Sequence, residues 1–349
     1  MMSLPPIAIP PLDATVMAAV QRRLDSLTKP PGSLGRLEAL AVQLAGISAE
    51  TSRTFRRRRI AVFAADHGVA DEGVSAYPQS VTAQMVSNFL AGGAAINVLA
   101  RQVQADVMVV DMGVAARLPD IPSLVRCPLG QGTANIALGP AMSRGQAISA
   151  LQIGRTLAHD AADDGIELVA AGDMGIANTT ASAAIIAALT GVSVRQATGR
   201  GTGIDDAVYE RKVTVIERAL ARNGPDPADA IDVLSKVGGF EIGAIAGFVL
   251  GAAERRLPAV IDGFISGAGA LLATRLCPSV RDSLIAAHRS VEAGHAAVLQ
   301  SLGLEPLFDL HLRLGEGTGA ALAFHLVDAA IAIRDEMATF AEAGVSEAV

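Results

Sequence analysis

The chain has no tryptophan, two tyrosines and nine phenylalanines, so aromatic residues make up only 3% of its 349 positions. Its interior must be built from Ala, Val, Ile and Leu. No stretch interleaves aromatic with basic residues, which excludes a stacking surface for nucleobases. Lysine is almost absent, standing only at 29, 212 and 236, and acidic side chains outnumber basic ones 35 to 28 for a net charge of −7. Nucleic acid is therefore excluded as a partner, because a phosphate backbone demands clustered Lys and Arg. The two cysteines, Cys127 and Cys277, form no CxxC or Cys/His ligand spacing. That argues against a zinc site or a disulfide scaffold and for a reducing cytoplasm. The uncharged window 174–194 is long enough to span a bilayer, but it contains Gly, Asn and Thr and draws its hydrophobicity from Ala, so no membrane partner is expected. The N-terminal MMSLPPIAIPPLDA lacks the basic and apolar blocks of a secretory signal.

What is present is a chain that is 51% hydrophobic and 18% charged, enough to bury a large core. At about 150 residues per domain its length suggests one large or two modest domains. After a Pro-rich start, Asp13 is a plausible cap for a helix with Val16, Val20, Leu24 and Leu27 on one face. TKPPGSLG forms a rigid turn before a second helix carrying Leu34, Leu37, Leu44 and Ile47. From Arg59 onward short apolar runs end in glycine and a polar residue: 60–68, 107–113, 166–175, 258–267 and 307–317. Ala-rich helical stretches separate them, which is the pattern of a parallel sheet with crossover helices. Ligands bind such sheets at the carboxyl ends of the strands. Each run places a carboxylate near that end: Asp66, Asp111, Asp173, Asp262 and Glu316. A last helix over roughly 319–340 shows Leu322, Leu326, Ala329, Ile333 and Met337 on one stripe and resembles the first two in texture. We therefore expect an α/β fold with a mostly parallel, Rossmann-like sheet. Residues 1–50 and 319–349 would form a small helical domain beside a large domain of residues 51–318. The Arg56–Arg59 run reads as solvated charge capping the first strand.

Two glycine-rich turns can approach a ligand closely. GDMGIANTT at 172–180 opens a helix whose backbone N–H groups and threonine hydroxyls suit an anion, with an ordinary capped turn as the bland alternative. GRGTGIDD at 199–206 is the second. Neither matches the P-loop or the dinucleotide fingerprint. LRLGEGTGAA is sharper, because Glu316 stands between two glycines at a strand-to-helix turn, and the competing reading is a dipole partner for the next helix. His67 is more ordinary as a structural histidine than as a base. His288 and His295 lack a third ligand, so no metal is expected. Tyr77 and Gln84 flank a helix start, and Tyr77, one of only two tyrosines, can line an aromatic ligand pocket, with packing as the ordinary alternative. Lys212 suits an anion contact, although a helix-surface lysine is the default.

KPPGSLGRLE, AADHGV, VSAYPQSVT, GGAAINVLAR, TANIALGPAMSR, NTT, VGGFEIGAIAG, DGFISGAGAL and RLGEGTGAALA occur in this order. Together they resemble the nicotinate-nucleotide–dimethylbenzimidazole phosphoribosyltransferases of cobalamin biosynthesis, from about residue 28 to about residue 338. The resemblance implies a transferase that moves 5-phosphoribose from nicotinate mononucleotide to 5,6-dimethylbenzimidazole with inversion, releasing nicotinate. It implies a homodimer acting on small molecules, without cofactor or metal. Carried over residue by residue, Glu316 becomes the catalytic carboxylate. Tyr77, Gln84 and Leu314 fall at the benzimidazole pocket. Asp173, Gly175, Asn178, Thr179, Gly201, Gly203, Lys212, Gly263, Ser290 and Gly317 fall around the nucleotide. Two positions depart from the family pattern. Asp173 stands where Glu is common, retracting the carboxylate by roughly 1.5 Å, and Ala177 replaces a common glycine. A nicotinamide-dependent oxidoreductase and a non-catalytic nucleotide-binding protein are the alternatives.

Overall fold

The computed structural model describes residues 4–118 and 120–346. Its centre is a parallel sheet of six strands: β1 (Arg58–Ala65), β2 (Ala105–Gly113), β3 (Leu124–Arg126), β4 (Leu168–Met174), β5 (Ala259–Ile261) and β6 (Leu284–Ala286). They lie in the order β3-β2-β1-β4-β5-β6, and every neighbouring pair is parallel. The strand order reverses between β1 and β4, which opens a crevice beyond their carboxyl ends.

Side chains alternate across the pleat, so the apolar runs feed two cores. Ile60, Val62 and Ala64 of β1 point to one face with Leu168, Ala170, Val260 and Ile285. Ala61, Phe63 and Ala65 point to the other with Val169, Ala171 and Ile261. The second face is covered by helices including Arg144–Asp163 and Phe240–Glu254. Small residues let these two approach closely: a Cβ on Gly154 would lie 1.9 Å from the Ala244 carbonyl oxygen, and one on Gly247 1.9 Å from that of Leu151. The scarcity of aromatics is thus matched by short helix-to-helix spacing.

The first face is covered by helices from both ends of the chain. Asp13 caps Ala14–Asp25 by accepting the Val16 N–H at 2.9 Å. Val20 and Leu24 of that helix are buried with Leu40 and Leu44 of Arg36–Ser48 and with Phe324 and Val327 of Thr318–Glu336. The ends are stitched by main-chain bonds, Thr28 N–H to Ala338 O at 3.1 Å and Phe340 N–H to Ser26 O at 3.0 Å. In the last helix the buried stripe is Ala320, Ala323, Phe324, Val327, Ile331 and Arg334, while Leu322, Leu326, Ala329 and Ile333 are only half-buried. The expected stripe is rotated by about one residue, because small Ala side chains, rather than the larger Leu, pack closest to the sheet.

Four of the five apolar runs are strands. The fifth, 307–317, is not. It runs beside the end of β6 and the segment that follows, through Leu307 N–H to Ala286 O at 3.0 Å, Arg289 N–H to Phe308 O at 2.9 Å and Val291 N–H to Leu312 O at 3.2 Å, with a single bridge between His288 and Phe308. His311 takes φ +55° and residues 315–317 all have positive φ, which ends any extended run. The two strands that pattern reading overlooks, β3 and β6, have three residues each, and neither lies in an apolar run that ends in a polar residue and glycine, as the equally short β5 does.

The arginine run is less solvated than expected. Arg58 is 4% exposed and pairs with Asp328 of the last helix, and Arg59 bridges Asp106 and Asp164 at 2.9 Å each. Among the described residues one helical stretch, Ser80–Gln102, is long and apolar enough to cross a membrane by length and composition. It is in fact two helices, Ser80–Ala91 and Ala95–Gln102, broken at residues 92–94. The uncharged window 174–194 contains the buried helix Asn178–Thr190.

Candidate active site

Beyond the carboxyl ends of β4, β5 and β6 lies a cavity of about 690 Å³. Its wall comes from residues 173–179 after β4, 262–265 after β5, 288–292 after β6, the segment 74–85 after β1, the loop 200–202 and the seam 311–316. The topology thus gathers turns that are distant in sequence.

Glu316 is the most constrained residue of this wall. It sits at φ +62° between Gly315 at +80° and Gly317 at +89°. A left-handed backbone costs a side-chain-bearing residue roughly 1–2 kcal/mol, so the two flanking glycines carry the rest of the turn and the glutamate bears the strain. The turn lies flat on β4, where a Cβ at Gly172 would meet the Glu316 carbonyl oxygen at 2.2 Å. The side chain is 5% exposed. Its Oε2 accepts the Ile96 N–H at 3.3 Å, at the start of the helix Ala95–Gln102. Burial raises its pKa, the Ile96 N–H opposes this, and Asp262 adds to the rise. The result is a carboxylate more basic than an exposed one, facing a cavity.

Asp262 and Asp173 stand beside it. Asp262 accepts N–H groups from Gly317 at 3.3 Å and Ala320 at 3.0 Å, so it caps the last helix and pins the Glu316 turn. Burial raises its pKa, with His288 opposing. Asp173 accepts from Asn178 Nδ2 at 3.0 Å. Its pKa lies well above the usual range because it is buried near Asp262 and Glu241. Since folding raises the pKa of Asp173, the native state binds an extra proton relative to the unfolded chain. Stability from this group is therefore lost as pH rises through the raised pKa. Asp173→Asn keeps the Asn178 contact and removes the like charge. We expect it to stabilise the protein by about 1–2 kcal/mol at neutral pH, with the gain vanishing below about pH 4, where aspartate is protonated in both states. Thermal unfolding of both proteins at pH 7 and pH 4 checks this; an asparagine variant that is less stable at pH 7 would refute it.

A second group on this wall centres on Lys212. Lys212, expected as a surface lysine by default, is 1% exposed. Its Nζ donates to Thr179 Oγ1 at 2.7 Å and to the Gly199 carbonyl at 3.4 Å. Burial pushes its pKa down to about 8 against the pull of Glu292. Ser290 and Gly263 complete this part of the wall. Ala177 takes φ +73°, which shows why glycine is common there. Apolar surface comes from Val74, Val81, Met85, Met174, Phe264 and the exposed Tyr77 and Leu314.

Of the sequence candidates, Glu316, Tyr77, Leu314, Asp173, Gly175, Asn178, Thr179, Gly201, Lys212, Gly263 and Ser290 line the cavity. Gln84, Gly203 and Gly317 do not. Gln84 is exposed on the helix Ser80–Ala91. Val81 and Met85, one turn apart, face the cavity instead. Gly317 supports the turn from behind. His67 is structural, with Nε2 2.6 Å from Glu241 Oε1 and both side chains buried. Asp66 and Asp111 lie outside the lining; Asp111 Oδ1 accepts the Gly113 and Val114 N–H groups. His288, weighed in the sequence only as a metal ligand, joins the wall, as do Glu292 and Met85, which the sequence did not single out. Only the i, i+4 spacing of Val81 and Met85 offers a signal for any of them. Among the described residues no group of three or more His, Cys, Asp or Glu is placed to hold a metal ion.

Comparison with known proteins shows the family. A family model described as Phosphoribosyltransferase matches residues 9–345. A nicotinate-nucleotide–dimethylbenzimidazole phosphoribosyltransferase of Roseiflexus sp. (strain RS-1) is 62% identical over 97% of this chain and 96% of its own. The protein of that name from Geobacter metallireducens is 57% identical over 97% and 96%. The crystal structure of CobT from Thermus thermophilus superposes with a TM-score of 0.92 at 50% identity, over 96% of this chain and 100% of that one. The chain is a transferase and belongs to the nicotinate-nucleotide–dimethylbenzimidazole phosphoribosyltransferase family.

Proposed function

We propose that this chain transfers 5-phosphoribose from nicotinate mononucleotide to 5,6-dimethylbenzimidazole, with Glu316 as the base. The observation that carries the assignment is a buried, raised-pKa glutamate held in a strained turn on the wall of a cavity. Nicotinate leaves from a cationic pyridinium and departs neutral at its ring nitrogen, so its departure needs no general acid. One benzimidazole nitrogen attacks the anomeric carbon from the opposite face and the linkage becomes α. The proton on the other nitrogen turns acidic as positive charge develops, and ionised Glu316 removes it. A water-poor wall strengthens that attraction.

The phosphate falls to Lys212, Thr179, Gly201 and Ser290, where an ammonium and two hydroxyls suit an anion and the glycine lets it approach the turn closely. Asp173, Gly175, Asn178 and Gly263 flank the ribose and nicotinate. The aromatic base falls to the apolar wall of Tyr77, Met85, Met174 and Leu314, where methionines adapt to planar rings. Residues 1–50 and 319–349 form a small helical domain against a large domain of 51–318, a division supported by the main-chain bonds between the two ends. Residues 1–3 and 347–349 of that division lie outside the described residues. The family resemblance supports a homodimer acting in the cytoplasm.

The test is to supply nicotinate mononucleotide with dimethylbenzimidazole and a panel of other bases. Base-dependent release of nicotinate and an α-linked product by NMR are expected. A β-linked product, or no release, would overturn the assignment.

A further inference from the structure

Glu292 lies in the segment that follows β6, and its environment is unusual for a carboxylate beside an anion site. It lines the cavity yet is buried. Oε1 accepts the Gly201 N–H at 2.8 Å. Oε2 has no hydrogen-bond partner. It packs on Gly199, where a Cβ would lie 1.9 Å from it. Lys212 holds the Gly199 carbonyl of the same short segment. Glu292 is itself anchored, its N–H donating to Ser290 Oγ at 3.3 Å. The Ser290 N–H donates in turn to His295 Nδ1 at 2.9 Å. Burial pushes the His295 pKa down to about 3, so the ring is neutral and that nitrogen is free to accept.

We propose that Glu292 is a positioning residue for the mononucleotide phosphate: it clamps the Gly199–Gly201 turn and is the fixed counter-charge that holds the Lys212 ammonium in the site. The proposal rests on the reading that Lys212 meets the phosphate. Electrostatics alone would disfavour a carboxylate here, since like charges repel. The arrangement is favourable only when the lysine is considered with it. Without substrate, a buried ammonium needs an anion nearby to stay protonated, and Glu292 is the charged group that acts on Lys212. The other groups around the ammonium, the Thr179 hydroxyl and the Gly199 carbonyl, are neutral. Arg200, on the same turn, is paired with Asp206 instead.

The sign of the effect follows. An anion at 292 raises the lysine pKa, so Glu292→Gln lowers it further, while the amide oxygen can still accept the Gly201 N–H. Affinity for an anion that needs the protonated lysine falls by roughly tenfold per pH unit above that pKa. Steady-state kinetics of the full chain between pH 6 and 9 test this, varying nicotinate mononucleotide at saturating base. For Glu292→Gln we expect kcat within about twofold of the parent, and a KM for the mononucleotide that begins to rise at lower pH. In a Lys212→Met background the same substitution should add nothing further. Glu292→Asp, which keeps the charge on a shorter arm, should restore the parental pH profile with KM raised evenly across the range. A KM that falls when the charge is removed overturns the proposal. So does an effect of equal size with and without Lys212, as a purely structural role would give. If Lys212→Met itself leaves that KM unchanged, the phosphate assignment fails first and takes this proposal with it.

Discussion

Glu316→Gln is expected to fold normally and bind nicotinate mononucleotide, while kcat falls by about 10²–10⁴-fold, the range for loss of a general base. The amide is nearly isosteric and its oxygen can still accept the Ile96 N–H, so the strained turn has no new reason to move. What disappears is the ability to take the benzimidazole proton. The pH dependence sharpens the test. Burial and the neighbouring Asp262 raise the Glu316 pKa, so the parent's kcat should decline as pH falls through that raised value and the base becomes protonated. The glutamine variant should lose this acid limb. A variant that turns over at the parental rate, or keeps the limb, would transfer the role to another group, with Asp173 and Asp262 the other carboxylates beside it on the wall.

The same carboxylate shows what can be read from the sequence. Its identity and its glycine flanks are visible as a pattern, because a positive-φ turn leaves glycine as its mark. The strand-end positions of Asp173 and Asp262 are visible too, since parallel strands are short apolar runs with polar ends. Lys212 is noticeable by rarity, but its burial is not, because it depends on the Asn178–Thr190 helix and the 199–203 turn arriving from elsewhere. Gln84 is drawn in by its neighbourhood, but its side chain lies exposed on the helix outside the lining. His288 and Glu292 leave no usable signal. They become site residues only because β6 places its carboxyl end beside that of β5, and β6, unlike β5, has no glycine after it to close its apolar run. Periodicity therefore recovers the elements, whereas the cavity wall depends on the order in which the strands are laid side by side.

That dependence predicts a large effect at a residue with no chemistry of its own. Gly172 sits in β4, paired with Val62 of β1, and the Glu316 turn rests against it. A methyl group there would meet the Glu316 carbonyl oxygen at 2.2 Å, its carbonyl carbon at 2.4 Å and the Gly317 nitrogen at 2.7 Å. All three are main-chain atoms, so no side chain can rotate away. The strand is held by neighbours on both sides, which leaves the turn as the element that must shift. Gly172→Ala is therefore expected to lose about 1–3 kcal/mol of stability, as overpacked sites do. Moving the turn also loosens its bonds to Asp262, and the carboxylate leaves its place against the cavity. Displacements of about 1 Å can lower turnover on the order of 100-fold. We expect a loss of that size in kcat with a smaller change in the KM for the mononucleotide, whose phosphate we assign to the separate group around Lys212. Denaturant unfolding and steady-state kinetics on the same preparation check both halves. A folded alanine variant with parental kcat would show that Glu316 is positioned by its own turn and by Ile96 rather than by contact with the strand.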